Sequence, residues 1–368
     1  MKNLFLKSAI TYVVIVVLFL VSLCFSSSIE TFLKLKPDLK QINSTALEVH
    51  FVDVGQGDAI LVKNNGKTML IDSGNASKEK QLLTYINNVF FRNETNKLFN
   101  YVILTHSDSD HSGNMLSILE NYEVETFFRP KIYVEGLESV TEQALYETNM
   151  AYVNLIAKLN ALEHAHKINV EYAEMGISFN LSDAQVNILA PVKNYYSSSN
   201  EYSAVVTVEK NDSKFMFTGD ATIDNELEII NNNSSSLLNV DVLKLGHHGS
   251  NTSTSLSFLE ATSPSLAIVS VGEFNAENHP SSEVFNNIVS YNLWSNTTTS
   301  VLQTANLGNI VCYVNDDFGV CYTTIANVFD YLFVSWWVLV VIVVLVVTIV
   351  CGTIILIKWL KQGKTSKL

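Results

Sequence analysis

Cysteine is scarce, with four residues in a chain of 368. Cys24 and Cys351 fall inside long apolar runs, so only Cys312 and Cys321 are left for the intervening domain, and a disulfide framework is excluded. These two flank Asn315-Asp316-Asp317-Phe318-Gly319 between two strand-like runs. That spacing suits either a cross-strand disulfide in an oxidising compartment or two small buried thiols. Positive charge is also short: 23 Lys and Arg stand against 36 Asp and Glu, a formal net charge of −13. Lys2, Lys7, Lys358, Lys361, Lys364 and Lys367 sit at the two ends, so the middle of the chain is more acidic still. Such a domain repels polyanions at long range, which excludes a binder of nucleic acid by bulk charge alone. Any action on a phosphate backbone would need cations or a local basic groove, and the sequence shows no such groove. Short-period repeats and low-complexity tracts are missing too, whereas 48% hydrophobic and 10% aromatic residues supply a sizeable core.

Charge is absent altogether from two stretches, between Lys7 and Glu30 and between Asp330 and Lys358. The second contains VSWWVLVVIVVLVVTIVCGTIILI with Tyr331, Trp336, Trp337 and Trp359 near its ends, the signature of a transmembrane helix with aromatic belts. The first, Ser8 to Phe25, reads as an uncleaved anchor or as a signal peptide ending at Ser26 to Ser28; its length favours the anchor. The lysines outside both runs place the termini in the cytoplasm and the middle outside, at a cell membrane. The expected organisation is an anchor over 1–29, a polar stalk over 30–46, a folded domain over 47–326, a transmembrane helix over 331–357 and a basic tail over 358–368. Asn-x-Ser/Thr triplets at Asn75 and Asn251 fall beside the motifs described next, where a glycan would obstruct a substrate, which favours a bacterial source.

The domain begins with the alternating strand LEVHFVDVG, then a hairpin from Asp58 to Asp72 turning at Asn64-Asn65-Gly66. A helix is expected from about Lys78 to Phe91, a buried strand over NYVILT, a helix over SGNMLSILENY and another over Glu138 to Ala165. Strand-like alternation from Ile168 to Leu189, strands near 204–209, 215–217, 240–245 and 266–271, a helix near Glu283 to Tyr291 and a last hairpin follow. The order is β-rich with interspersed helices, twice over.

The densest chemical signal is His106-Ser107-Asp108-Ser109-Asp110-His111, directly after the apolar strand. Imidazole and carboxylate both bind first-row divalent metals, and a loop here can serve two neighbouring cations. Thr218-Gly219-Asp220 and Gly246-His247-His248-Gly249-Ser250 repeat the pattern after later strands. FVDVGQGDAILV, LIDSG, THSDSDHSG, FTGDA, LKLGHHGSNTSTS and SVGEFNAENHP occur in that order, and this set resembles the metallo-β-lactamase superfamily, specifically the extracellular hydrolase domain of the ComEC competence proteins.

The resemblance implies a four-layer αββα sandwich of the α/β class, flanked here by the two transmembrane helices, with two divalent ions, zinc or manganese, at one edge. It implies a first ion held by His106 and Asp108, a second held by Asp110, His111 and His247, and Asp220 bridging them. His248 is expected to contact substrate or orient its neighbour, and Asp110, His248 and His279 are the residues expected to act in catalysis. Asp72 and Asp58 resemble supporting carboxylates that orient ligands. Members with two tight zinc sites carry His where Asp108 stands and another in the region of Asn200-Glu201-Tyr202-Ser203, which has none. The first site is thus oxygen-rich, which shifts preference toward manganese. His164 and His166 are expected at the surface, and Asn114 replaces a glycine at a helix start.

The implied activity is hydrolysis of a phosphate ester, as a phosphodiesterase or nuclease acting outside the cell on substrates such as single-stranded DNA. The competing expectations are an esterase for phosphocholine or phospholipid headgroups, and a non-catalytic membrane scaffold whose metal site has decayed. Expected partners are the lipid bilayer and other membrane proteins. In full-length competence proteins a multi-helix channel accompanies this domain, and two single helices cannot form one, so DNA transport by this chain is not expected.

Overall fold

Leu47, Val49 and Phe51 point one way from the first strand while Glu48 and His50 point the other, yet all five are buried, so this strand has a layer packed on each face. On the polar side His50 meets Glu48 (3.3 Å) and the Tyr85 hydroxyl (2.9 Å), and Arg92 reaches Glu48 at 3.3 Å. The computed structural model describes residues 42–92, 94–132, 149–315, 319–325 and 352. Residues 39–325 form one compact unit.

Among the described residues its strands are β1 (Leu47–Phe51), β2 (Ile60–Asn64), β3 (Lys67–Ile71), β4 (Leu98–Ile103), β5 (Glu123–Arg129), β6 (Asn169–Tyr172), β7 (Ser178–Leu181), β8 (Ala184–Ala190), β9 (Val205–Lys210), β10 (Ser213–Phe217), β11 (Val242–Lys244), β12 (Leu266–Val269), β13 (Ser300–Gln303), β14 (Asn309–Asn315) and β15 (Gly319–Ile325). An eight-stranded sheet runs β15-β14-β1-β2-β3-β4-β5-β6 and a seven-stranded sheet runs β13-β12-β11-β10-β9-β8-β7. Each half opens as an antiparallel meander, β1-β2-β3 and then β7-β8-β9-β10, and continues with parallel strands. The twofold order expected from the sequence is therefore a duplication of architecture.

Three apolar layers follow. Between the sheets lie Val49, Phe51, Val62, Ile71, Val206, Phe215 and Phe217. Outside the first sheet Phe90, Phe99, Phe127, Tyr152 and Leu155 pack under helices 79–85, 115–121 and 150–164, and outside the second Met216, Leu243, Phe258 and Ile288 pack under helices 223–232, 256–262 and 282–295. The result is the expected α/β sandwich of two sheets between helical layers. Truncating an aromatic of the middle layer such as Phe215 to Ala would cost about 3–5 kcal/mol.

Local chemistry explains the boundaries. Asn65 and Gly66 both adopt positive φ (45° and 80°), the tight turn that suits the twist of two antiparallel strands. The helix expected to end near Phe91 runs from Glu79 to Tyr85 and widens into a π turn over Ile86–Phe90. The helix expected from Glu138 starts, among the described residues, at Met150, where Asn149 accepts a hydrogen bond from the Ala151 N–H. In the last hairpin Cys312 pairs with Tyr322 and Tyr313 with Cys321, so the two cysteines face opposite sides. Both thiols are free, and burial pushes that of Cys312 up to about 12. Among the described residues no helix is long and apolar enough to cross a membrane; the first expected transmembrane helix, and all of the second except Gly352, lie outside them.

Candidate metal centre

The polar loops all leave the carboxyl ends of strands β3, β4, β10, β11 and β12, on one edge of the two-sheet unit, where parallel strands leave backbone groups free for loops. After β4, Leu104 and Thr105 lead into His106, and Asp108 begins the short helix Ser109–Ser112 that carries Asp110 and His111. After β10, Gly219 turns with φ +51° so that Asp220 points back toward the first sheet; a side chain there would meet Thr105 Cβ at 2.9 Å. After β11, His247 and His248 both take left-handed backbone (φ 48° and 54°), which costs a non-glycine residue on the order of 1–2 kcal/mol each. Backbone bonds from His247 N to the Gly219 carbonyl and from Ser250 N to the His247 carbonyl hold that turn.

These loops converge on Asp220. Its Oδ1 lies 3.2 Å from His111 Nε2, and its Oδ2 lies 3.6 Å from His247 Nε2, 3.6 Å from His248 Nε2 and 3.8 Å from His106 Nε2. Asp108 approaches His106 Nε2 at 3.7 Å and Asp110 approaches His248 Nε2 at 3.3 Å. His106, His111, Asp220 and His248 are buried; Asp108 and Asp110 are partly open.

The outer edge of each imidazole fixes which nitrogen faces inward. His111 Nδ1 lies 2.8 Å from Asp72 Oδ2 and His248 Nδ1 lies 2.8 Å from the Ser270 carbonyl oxygen, both pure acceptors, so each Nδ1 carries the proton. The Thr105 hydroxyl donates to Asp72 (2.7 Å) and therefore accepts from His106 Nδ1 (3.0 Å). The Thr252 hydroxyl donates to Ser250 (3.0 Å) and accepts from His247 Nδ1 (3.0 Å). In the neutral rings every Nε2 lone pair is thus directed inward, and those of His111 and His248 meet at 3.2 Å. His106 Nε2 and Asp220 Oδ1 are buried with no hydrogen-bond partner. A cluster of lone pairs and carboxylates with no donor among them is completed by protons or by cations, and nitrogen and oxygen donors at this spacing fit divalent metal ions.

The electrostatics agree. For His111, burial opposes the charged form, but the carboxylates of Asp220 and Asp72 outweigh it and hold its pKa well above the ordinary value; His248 moves the same way through Asp220 and Asp110. Burial likewise opposes ionisation of Asp220, yet His111 and His248 hold it well below the usual carboxylate range. His106 is lowered by burial and by His111.

The sequence-derived residues His106, Asp108, Asp110, His111, Asp220, His247 and His248 are all brought together. The histidine pair divides otherwise than the resemblance suggested. His248 is buried among Asp110, His111 and Asp220, whereas His247 is a quarter exposed and stands at the mouth, its ring 5.6 Å from that of His279. His279 is half-buried with its Nδ1 unpartnered, held below its ordinary pKa by burial and by His247. Asp72 accepts from Thr105 N (2.8 Å) as well as from Thr105 Oγ1 and His111. Asn114, where a glycine was expected, donates to the Ser73 and Asn75 carbonyls. His164 and His166 are exposed and line a separate open hollow with Glu125 and Glu163.

Residues 52–169 match the family model described as the metallo-beta-lactamase superfamily. ComE operon protein 3 of Bacillus subtilis is 29% identical over 251 residues, covering 64% of this chain and 30% of that protein. Recombination protein 2 of Haemophilus influenzae is 28% identical over 259 residues, covering 68% of this chain and 28% of that protein. The chain thus spans less than a third of the length of either relative. Among solved structures, the metallo-beta-lactamase fold protein YhfI of Bacillus subtilis aligns with a TM-score of 0.44 and 9% identity, covering 73% of this chain and 99% of that one.

Proposed function

We propose, from the premise that the chain is a ComEC-like member of the metallo-beta-lactamase superfamily, that it is a metal-dependent phosphodiesterase held at the outer face of a bacterial membrane by its apolar ends. The observation that carries the hydrolytic reading is the set of inward Nε2 atoms around one central carboxylate, Asp220. His111, His248, Asp110 and Asp220 are the residues that would hold one divalent ion, and His106, Asp108 and Asp220, with His247 at the mouth, a second. Bound there, such ions supply Lewis-acid polarisation, a more acidic water and compensation of phosphoryl charge.

The chain's own groups account for the rest. Asp72, Thr105, Thr252 and the Ser270 carbonyl fix the four tautomers, so no ring has to reorganise during turnover. His279 stands near the mouth, held below its ordinary pKa by burial and by His247, and its neutral ring is placed to donate a hydrogen bond to a phosphoryl or leaving oxygen. An acidic protein that acts on a phosphate ester needs the cations for binding as much as for chemistry.

Hydrolysis of bis-p-nitrophenyl phosphate by the purified chain, with and without manganese or zinc, tests this reading. Metal-dependent turnover lost in Asp220→Ala and His111→Ala supports it; a chain that binds no metal and is inert contradicts it and supports the scaffold. Turnover of single-stranded DNA against phosphocholine esters then divides the nuclease from the headgroup esterase.

A further inference from the structure

Lys244 ends β11 in the apolar run Val-Leu-Lys-Leu and is fully buried. Its ammonium lies 2.6 Å from Asp58 Oδ2 and donates to the Gly219 carbonyl at 3.0 Å. These two acceptors come from opposite sheets. Asp58 lies in the turn between β1 and β2, and its main chain is bonded to the ligand-bearing loop of the first sheet: Asp58 N donates to the Asp110 carbonyl and Gly74 N donates to the Asp58 carbonyl. Gly219 directly precedes Asp220, and the Thr218 hydroxyl donates to the Lys244 carbonyl at 2.8 Å. One cation therefore joins the turn behind Asp110 to the turn carrying Asp220.

Asp58 stands behind the ligands. Its oxygens approach the rear nitrogens of His111 (3.9 Å) and His248 (3.8 Å), while Asp110 and Asp220 approach the front ones. The ligand atoms of Asp58, His111, Asp220 and His248 still lie within 4.8 Å of one another. A carboxylate released at that spot would be a competing ligand. A buried ion pair is on average no more stabilising than apolar residues of the same shape, so stability alone gives little reason for a lysine in this strand.

We propose that Lys244 is a positioning residue of the metal centre, a strut between the two sheets that sets the spacing of the two ligand-bearing turns and keeps Asp58 paired and non-coordinating. This rests on the metal-centre reading above. The test is cobalt(II) binding to the purified chain, read as affinity, stoichiometry and the visible d–d spectrum, in wild type, Lys244→Met and the double variant Lys244→Met/Asp58→Asn. Lys244→Met leaves a buried carboxylate unpaired and is expected to lower thermal stability. The double variant removes both charges and is expected to recover stability, but to bind cobalt about ten- to a hundred-fold more weakly, with an altered spectrum, because the link to Gly219 is still missing. A double variant with wild-type cobalt affinity and spectrum would overturn the strut and leave Lys244 a structural counter-ion. Wild type that takes up no cobalt would overturn the metal centre itself, and the strut with it.

Discussion

Asp72→Asn perturbs the centre without removing any atom that could touch a metal. Asp72 has left-handed backbone (φ 57°), which Asn tolerates as readily as Asp, so the change alters hydrogen bonding and not backbone strain. The carboxylate accepts from Thr105 N, Thr105 Oγ1 and His111 Nδ1 at 2.7–2.8 Å, and it is buried. An amide offers one accepting oxygen and one donating NH2 group, so at least one of these donors must face another donor. Whichever way the amide turns, either the Thr105 backbone or the His111–Thr105 side is left unsatisfied, at about 1–3 kcal/mol of folding stability. If the amide NH2 faces His111, that ring must take the tautomer with its lone pair pointing outward, and the Nε2 ligand is lost. Loss of such an orienting partner weakens metal binding about ten- to a hundred-fold, about 1.4–2.7 kcal/mol. Isothermal titration with manganese, beside a urea melt of the metal-free chain, measures both effects. Unchanged manganese affinity in a folded Asp72→Asn chain would refute the argument that the outer nitrogens fix the inner ones.

Two further outcomes follow from buried groups. Metal uptake is expected to release protons and to strengthen as pH rises, because Asp220 and Asp72 hold His111 protonated well above the ordinary histidine pKa in the metal-free chain; titrations in buffers of different ionisation enthalpy read that release, and enthalpies independent of buffer would contradict it. Glu226 is buried beneath the loop that follows His247 and His248, accepting from the Thr254 and Ser255 N–H groups, and burial pushes it from 4.5 up to about 7. The folded chain therefore holds this proton more tightly than the unfolded chain. Its contribution is fully present below pH 4.5 and is lost as pH rises through about 7, on the order of 3 kcal/mol in all. Urea denaturation of metal-free protein over that window should show the decline in wild type and a flatter profile in Glu226→Gln; equal slopes in the two would count against it.

The clustering of the candidate ligands was legible because the sequence places them just after apolar strands, where a run such as His106 to His111 has no structural reason to gather. The strands themselves were legible from alternation and from turn chemistry at Asn65-Gly66. What tells His247 from His248 was not, because the distinction is made by Ser270, just past the end of β12, and by the left-handed turn that Gly249 permits; a Cβ there would sit 2.5 Å from Pro280. The cysteine question turned on register, which pairs Cys312 with Tyr322 and is invisible in spacing alone. Lys244 did leave a signal, a lone charge in an apolar strand, but its partners Asp58 and Gly219 meet it only through the packing of one sheet on the other. Ser203, whose hydroxyl accepts from Asp220 N, is likewise a contact made by tertiary structure alone.

The most direct test is an anomalous-difference map from crystals of the chain soaked with manganese or zinc. Two peaks about 3.5–4 Å apart flanking the Asp220 carboxylate, one beside His111 and His248 and one beside His106, are the expected result. No peak at Asp220, or a peak only at the exposed His164 and His166, would contradict it.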